Sequence, residues 1–162
     1  GCQDNLAVWN IVELLGFYDF ITFYIYYFSF FNLCCENAVH LDCVRRLRNS
    51  AAHNDCTLSS LKPVQNFKFD TDVCFDLLQS KSGLNPNVIS SSMKVPVLND
   101  FAVMLFVYTK VISSEKIKQK TIEELKEFFT GRALRHKEYF ENTTLVKNAY
   151  NFAIRVIDHY SC

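Results

Sequence analysis

Residues 99–112 read NDFAVMLFVYTKVI, and this stretch decides which class of fold the chain is expected to adopt. Asn99 stands where an N-cap residue would accept a backbone hydrogen bond at the start of a helix. Apolar side chains then recur every three or four residues, as they do along one face of an α-helix: Phe101, Ala102, Leu105, Tyr108 and Ile112. We therefore expect a helix here that buries this face.

The same helical spacing continues toward the C-terminus. Residues 121–131 read TIEELKEFFTG, with a capping-box pattern at Thr121 and Glu124 and a stop signal at Gly131. A last helix is indicated by five apolar residues on one face: Leu145, Ala149, Phe152, Val156 and Tyr160. No segment alternates with the period of two that a half-buried strand would show between hairpin turns. The sequence therefore predicts an all-α fold.

The first third of the chain predicts three more helices. The first runs from Asp4 or Asn5 to about Leu15, an aromatic second helix reaches about Leu33, and a third spans about residues 36–54. Residues 55–97 are rich in Ser, Asn and Pro, and only TDVCFDLLQ (residues 71–79) looks helical there. We expect one domain over residues 1–162, a bundle of about five or six helices. The apolar start of the first helix leaves open that an N-terminal part is missing.

Composition restricts the kinds of partner. The chain has 162 residues, 49% of them hydrophobic, and 17 Lys and Arg against 17 Asp and Glu. This composition is typical of a globular domain rather than a disordered tail. A net charge of zero argues against nucleic-acid binding by bulk electrostatics, so any contact with RNA has to be local. Residues 1–44 contain five acidic residues and no Lys or Arg, so every such cation lies from Arg45 onward.

The aromatic segment over residues 17–35, FYDFITFYIYYFSFFNLCC, is the one place where a membrane span has to be considered. Its longest uncharged run, Phe20 to Cys35, has 16 residues, whereas a spanning helix needs about 18 or more. The run is also rich in Tyr and is preceded by Asp19. We expect no membrane span but a buried helix of a cytoplasmic protein; a segment lying along a membrane surface is the alternative.

Cysteines and acidic residues indicate no metal or cofactor. The seven Cys residues form no CxxC pair and no zinc-ligand spacing, so free thiols in a reducing compartment are expected. Asp70, Asp72 and Asp76 are the nearest approach to an acidic cluster, and their spacing favours a solvated surface over a two-metal site. We therefore expect no metal site and no cofactor.

Chemistry is concentrated in RRLRNSAAHN, residues 45–54, which combines three cations, an amide and an imidazole on the third predicted helix. Helical spacing places Val44, Leu47 and Ala51 on the core side and turns a neighbouring face outward, with Arg48 at the boundary. Arg48 and His53 lie about 140° apart around the helix and about 7.5 Å apart along it, so they do not converge within one copy. Two copies meeting across a two-fold axis could bring each His to the other copy's Arg.

At these residues the chain resembles a known family. The segment RRLRNSAAHND resembles the R-N-x-x-A-H motif of Abi-like (abortive infection) proteins of the HEPN superfamily, and residues 7–24, AVWNIVELLGFYDFITFY, resemble the Trp-containing block before it, with Trp9 and Glu13 at matching places. The similarity covers roughly residues 6–63. The chain departs from the family pattern at Asn54, where many members have a second His, and at residues 16–18, which read GFY where Phe-Gly is expected.

This resemblance implies a HEPN-like bundle and a metal-independent endoribonuclease that works as a homodimer in phage defence. The matching positions make His53 the acid or base, Arg48 the group that stabilises the phosphate, and Asn49 the residue that orients His53 or the phosphate. Arg45 and Arg46 would bind phosphates that flank the cleaved bond. RNA is then the substrate, and an antitoxin or a phage-derived protein is a further expected partner.

Alternatives stay open for each part of this interpretation. Arg45 or Arg46 could instead pair with an acid of the same helix, Asp42 or Glu36. A second basic group, made of Arg132, Arg135, His136 and Lys137, is either an exposed helix end or an RNA-guiding surface. From a different functional class, the chain could be a non-enzymatic helical protein-interaction module of a defence system that binds its partner through the aromatic second helix.

Overall fold

The computed structural model describes residues 14–35, 38–53, 55–56, 59–79, 85–135, 137–139 and 142–161. Within these ranges the chain is all-α and has no strand, which confirms the predicted fold class. The helices are α1 (Phe17–Phe30), α2 (Ala38–Ala52), α3 (Thr71–Gln79), α4 (Pro86–Met93), α5 (Pro96–Val111), α6 (Glu115–Thr130) and α7 (Thr144–His159). Two short 3₁₀ turns, Arg132–Leu134 and Lys137–Tyr139, lie between α6 and α7. The predicted first helix lies outside the described residues, apart from Leu14 and Leu15.

Helix α5 is the centre of the bundle and contacts α2, α3, α4 and α7. It begins with Pro96, whose fixed backbone angle suits a first helical position. Seven of its side chains are buried: Leu98, Asn99, Asp100, Ala102, Val103, Leu105 and Val107. The largest apolar side chains packed in the same core come from the surrounding helices: Leu77, Ile89, Met93, Ile122, Phe152 and Ile157. The hydrophobic core therefore surrounds α5.

Two predicted helix starts are wrong. Asn99 does not cap α5, because the helix already begins at Pro96 and Asn99 lies one turn inside it. Thr121 likewise lies within α6, which begins at Glu115 after Ser114, so the capping-box pattern was read inside a longer helix. The predicted stop at Gly131 is confirmed: its N–H donates to the Glu127 carbonyl at 2.8 Å. A Cβ atom at Gly131 would lie 2.9 Å from that carbonyl oxygen, which only glycine avoids.

The irregular middle of the chain contains one helix more than expected. Residues 71–79 form α3 as predicted, but α4 follows in a segment for which the sequence predicts no helix. Asn85 caps α4 by accepting a hydrogen bond from the Asn87 N–H at 2.9 Å, and Pro86 is the first helical residue. Ile89 and Met93 are fully buried. The Ser-rich composition of this segment does not predict a helix. Burial of these two side chains stabilises α4.

Helix α1 is not the buried helix that was predicted. Of its side chains only Ile21 is buried, whereas Tyr18, Tyr26 and Phe30 are each 65% exposed. The helix packs against α2 along one face and ends at Phe30, three residues before the predicted end. No single helix among the described residues has the length and apolarity to cross a membrane. Among the described helices, one pair, α4 with α5, has the combined length and composition of a membrane span. This pair is bent by 106° and contributes apolar side chains to the core.

Candidate functional site

Helix α2 carries the candidate site, and its packing against α5 decides which residues face outward. His40 and Cys43 are buried, and Val44 and Leu47 are half-buried, on the side that faces the bundle. The opposite side is exposed. Ala51 was expected to face the core, but it is exposed, as are Ala52 and His53, whereas Ser50 in the same turn is half-buried.

Two of the three arginines of α2 are neutralised by carboxylates. The Arg45 Nε and Nη2 donate to Asp42 Oδ1 at 2.9 and 2.7 Å, and the Arg45 guanidinium lies 5.7 Å from the centre of the Tyr18 ring on α1. Arg46 donates from Nε and Nη2 to both oxygens of Asp100, at 2.8 and 2.7 Å, and also to Asp42. The hydrogen bond to Asp100 raises the pKa of Arg46 above its ordinary value. Both Arg45 and Arg46 therefore pair with Asp42, as the alternative interpretation of the sequence predicts. Arg46 also joins α2 to α5.

The third arginine, Arg48, is exposed and differs from the other two. Its Nη1 donates to Asn49 Oδ1 at 3.2 Å, and no carboxylate among the described residues pairs with it. The His53 ring is likewise exposed and has no ion-pair partner in the described chain. The backbone N–H of His53 donates to the Asn49 carbonyl at 2.9 Å, which closes the last turn of α2. The helix ends at Ala52, so His53 lies directly after the last helical residue, close to the predicted position.

We call Arg48, Asn49, Ala52 and His53 the motif face; Asn49 is half-buried and the other three residues are exposed. The structure brings Arg48 and Asn49 into contact, and it places Arg48 and His53 on opposite flanks of Asn49 and Ala52, as the helical spacing predicts. A single copy therefore offers one guanidinium and one imidazole that diverge. The Asn49 carboxamide oxygen accepts its hydrogen bond from one side of the Arg48 guanidinium.

A buried polar network at the other end of α2 was missed by sequence reasoning. His40 Nδ1 lies 2.5 Å from Asp70 Oδ2, and the Asp70 N–H donates to Asn99 Oδ1 at 2.9 Å. The Asn99 amide in turn donates to Asp100 Oδ1 at 3.2 Å. Burial, and then the charge of Asp100, raise the pKa of the adjacent Cys43 thiol to about 11. These partners are far apart in the sequence, so no local sequence pattern predicts the network.

The predicted solvated surface at Asp70, Asp72 and Asp76 is therefore wrong in part. Asp70 is largely buried, and Asp76 accepts hydrogen bonds from His159 and from Tyr160, each at 2.9 Å. Nitrogen and carboxylate atoms of His40, Asp70 and Asp72 lie within 4.8 Å of one another, as metal ligands would. Both oxygens of Asp70 already have partners, however: Oδ2 binds His40 and Oδ1 caps α3. The cap of α3 and the contact with His40 therefore account for both oxygens of Asp70.

The remaining predicted groups lie elsewhere. Five Cys residues are free thiols, Cys34, Cys35, Cys43, Cys56 and Cys74, while Cys2 and Cys162 lie outside the described residues. Arg132 and Arg135 line a cleft of about 410 Å³ together with Glu124 and Glu127. Acidic side chains therefore lie beside the arginines of the second basic group. His136 lies outside the described residues, as do Trp9, Glu13, Glu36 and Asn54.

Comparisons of this chain with protein-family models, with curated protein sequences and with solved structures find no match. The resemblance to the Abi-like family therefore depends on the motif residues themselves. What the structure adds is the surroundings of these residues: α2 is attached to α5 through Arg46, and Arg48 and His53 near its end are exposed.

Proposed function

We propose that the chain is a metal-independent endoribonuclease that acts in the cytoplasm as a homodimer, in phage defence or as the toxin of a toxin–antitoxin pair. The observation that carries this proposal is the exposure of Arg48 and His53 together near the end of α2, beside the half-buried Asn49. Among the described residues no acid neutralises Arg48, whereas Asp42 and Asp100 neutralise the other two arginines of the helix. A guanidinium without a carboxylate partner is available for a phosphate.

The second copy supplies what one copy lacks. Because Arg48 and His53 diverge around α2, one motif face cannot place both groups on the same phosphate. Two motif faces related by a two-fold axis present two guanidinium groups and two imidazoles to one cleft. Ala52, between the two flanks, leaves room for the helices to approach. A HEPN-like composite site of this kind follows from the resemblance, and the exposed motif face supports it.

The chemistry uses the 2′-hydroxyl of the RNA as the nucleophile. One His53 imidazole accepts the 2′-hydroxyl proton as the 2′-oxygen attacks the adjacent phosphorus. The bond from phosphorus to the 5′-oxygen breaks, and the His53 of the second copy, in its protonated form, donates a proton to that oxygen. Arg48 stabilises the charge of the pentacoordinate phosphate. The products are a 2′,3′-cyclic phosphate and a 5′-hydroxyl, and DNA is not cut because it lacks the nucleophile.

The contacts of the neighbouring residues support roles that differ from those expected. Asn49 orients Arg48 through its oxygen, and its NH₂ group remains to donate to a phosphate oxygen. Arg46 is assigned to holding α2 on α5, since both of its forked donors are bound to Asp100. Arg45 keeps an RNA-binding role only if RNA displaces Asp42, so we expect a smaller effect from its substitution than from that of Arg48.

The test is cleavage of total RNA and of a defined oligoribonucleotide in EDTA by purified wild type, His53→Ala and Arg48→Ala. We expect each substitution to lower the rate at least about 100-fold. Lys116→Ala, which removes an exposed cation from α6, is the charge-matched control and should cut at the wild-type rate. Product ends should carry 2′,3′-cyclic phosphates. Absence of cutting by the wild type, or equal cutting by all variants, would refute the proposal.

Mixing the two inactive variants tests the composite site directly. A heterodimer of Arg48→Ala with His53→Ala still holds one intact Arg48 and one intact His53, on different copies. This heterodimer lacks one of the two imidazoles, so if the site combines groups from both copies, the mixture should cut faster than either variant alone but well below the wild-type rate. If each copy acts alone, the mixture should stay inactive. A mixture of two differently tagged His53→Ala preparations is the control for the mixing procedure.

A second candidate function is a non-enzymatic interaction module, and the exposed aromatics of α1 favour it. We call Phe23, Tyr26, Tyr27, Phe30 and Phe31 the aromatic stripe; their exposed fractions range from 41% to 65%. Exposed apolar patches of this kind commonly mark binding surfaces. In a phage-protection assay, this function predicts that His53→Ala is silent and that a Tyr26→Ser, Phe30→Ser double variant loses protection. The nuclease predicts loss of protection with His53→Ala.

A further inference from the structure

A cleft of about 400 Å³ lies between α4 and α7, apart from the motif face. Its polar lining consists of Asn85, Ser91 and Ser92 on the α4 side and of Asn148, Asn151 and Arg155 on α7. Among the residues that the structure describes, no acidic side chain lines it. The cleft therefore combines one cation with carboxamides and hydroxyl groups, a set that was not identified in the sequence because the two helices are about 60 residues apart.

The α7 side of the cleft is a continuous polar stripe. Asn148, Asn151 and Arg155 are spaced three and four residues apart, so they share one face of the helix. All three are exposed, and none of their side chains forms a hydrogen bond or ion pair with any residue that the structure describes. The stripe is thus a row of donors whose hydrogen-bonding capacity is not used by the fold.

The α4 side supplies further donors and acceptors. The Asn85 oxygen is used to cap α4, which leaves its NH₂ group facing the cleft as a donor. Ser91 Oγ donates to the Val88 carbonyl at 3.0 Å and so retains its lone pairs as acceptors. Phe152, which is 1% exposed, and Val88 form the apolar part of the lining. Phe152 offers no open ring face on which a nucleobase could stack.

This lining selects the chemistry of a ligand. A planar guanidinium without a carboxylate partner pairs with phosphate through two parallel hydrogen bonds. Carboxamides and hydroxyls donate to and accept from the hydroxyl groups of a sugar. We propose that the α4–α7 cleft binds a sugar phosphate, with the phosphate on Arg155 and the sugar hydroxyls on Asn148, Asn151 and the serines. The source is either a free sugar phosphate or the phosphorylated 5′ end of an RNA strand.

The test is a titration followed by the side-chain NMR signals of Arg155, Asn148 and Asn151. The probes are ribose 5-phosphate, ribose, inorganic phosphate, and a short oligoribonucleotide with and without a 5′-phosphate. We expect ribose 5-phosphate to bind more tightly than ribose or inorganic phosphate, and Arg155→Gln to weaken that binding at least about tenfold. Preference for the 5′-phosphorylated oligonucleotide over ribose 5-phosphate would assign the RNA end as the source.

Matched variants separate the proposed site from general charge attraction. Lys147→Gln removes an equal charge from an exposed position on α7 that does not line the cleft, and it should leave the affinity unchanged. Asn148→Leu should weaken ribose 5-phosphate severalfold and leave inorganic phosphate unaffected. Binding of no probe would overturn the proposal, as would an equal loss with Lys147→Gln and Arg155→Gln. These outcomes are independent of RNA cleavage at His53, so the two proposals fail separately.

Discussion

Arg46 on α2 and Asp100 on α5 form a two-pronged ion pair between helices that are 54 residues apart in the sequence. Nε and Nη2 of Arg46 donate to the two oxygens of Asp100 at 2.8 and 2.7 Å. Asp100 is 5% exposed, and the Asn99 amide is its additional donor. The pair attaches α2 to α5 at Arg46, and Arg48, about 160° further round the helix, faces outward.

Removal of Arg46 should lower the free energy of unfolding more than removal of Asp100 does. Arg46→Ala leaves the buried carboxylate of Asp100 with Asn99 as its remaining donor, so we expect a loss of about 3 kcal/mol in the free energy of unfolding. Asp100→Ala leaves an arginine that is 42% exposed and still bound to Asp42, so we expect about 2 kcal/mol. Urea unfolding measures both. Lys118→Ala, which breaks the surface pair with Glu115, should cost at most about 0.5 kcal/mol. The reverse order for Arg46 and Asp100 would contradict this account.

Asp70 has two separable tasks, and two substitutions should distinguish them. Its Oδ1 accepts hydrogen bonds from the Asp72 and Val73 N–H groups at 3.1 and 3.0 Å, and its Oδ2 binds His40. Asp70→Asn keeps an oxygen for the cap, so we expect a loss of about 1 kcal/mol. Asp70→Ala removes the cap and the His40 partner together, and should cost about 2 to 3 kcal/mol. Equal losses in urea unfolding would show that the cap contributes nothing.

Stability should fall in alkaline solution because of Cys43. Its pKa in the folded protein is about 11, raised from 9.0 chiefly by burial, so the folded state holds the thiol proton to a higher pH than the unfolded state does. The stability contributed by this proton is complete below pH 9 and is lost as the pH rises toward 11. Relative to Cys43→Ala, the wild type should lose about 1 to 2 kcal/mol between pH 9 and 11, measured by urea unfolding under reducing conditions.

The exposed thiol at Cys56 offers the control for this experiment. Cys56→Ala should keep the wild-type dependence on pH, because removal of an exposed side chain leaves the Cys43 environment intact. Parallel curves for the wild type and Cys43→Ala would mean that the buried thiol does not titrate differently in the folded and unfolded states. In that case the loss of alkaline stability has to come from other groups.

The aromatic stripe should contribute little to folding. Tyr26 and Phe30 are each 65% exposed, so replacement of either by Ser should change the free energy of unfolding by at most about 0.5 kcal/mol. Replacement of Ile21, the buried side chain of the same helix, by Ala should lower the free energy of unfolding by about 2 kcal/mol or more. A loss of about 2 kcal/mol with Tyr26→Ser would mean that the stripe is covered in the folded protein.

Local pattern alone determined much of the helical architecture. The three-to-four residue spacing that predicted α5 and α7, and the glycine that predicted the end of α6, are properties of neighbouring residues, and a helix forms its hydrogen bonds between neighbours. Helix starts were less predictable. Asn99 and Thr121 are residue types that often cap helices, but both lie inside helices that begin earlier. Helix α4 was missed for the related reason that tertiary burial of Ile89 and Met93, rather than helix propensity, stabilises it.

The candidate site shows the same division. Helical spacing by itself placed Arg48, Asn49 and His53 on and beside one outward face of α2, but Arg45, Arg46 and Arg48 are equivalent as letters in the sequence. Only the tertiary structure decided which cation remains without an acid, because the decisive partner, Asp100, comes from a helix 54 residues away. Likewise, the aromatic residues of α1 are apolar in any fold, and whether they are buried depends on which helices pack beside them. Spacing along a helix is a local property, whereas charge neutralisation and burial depend on which distant segments meet.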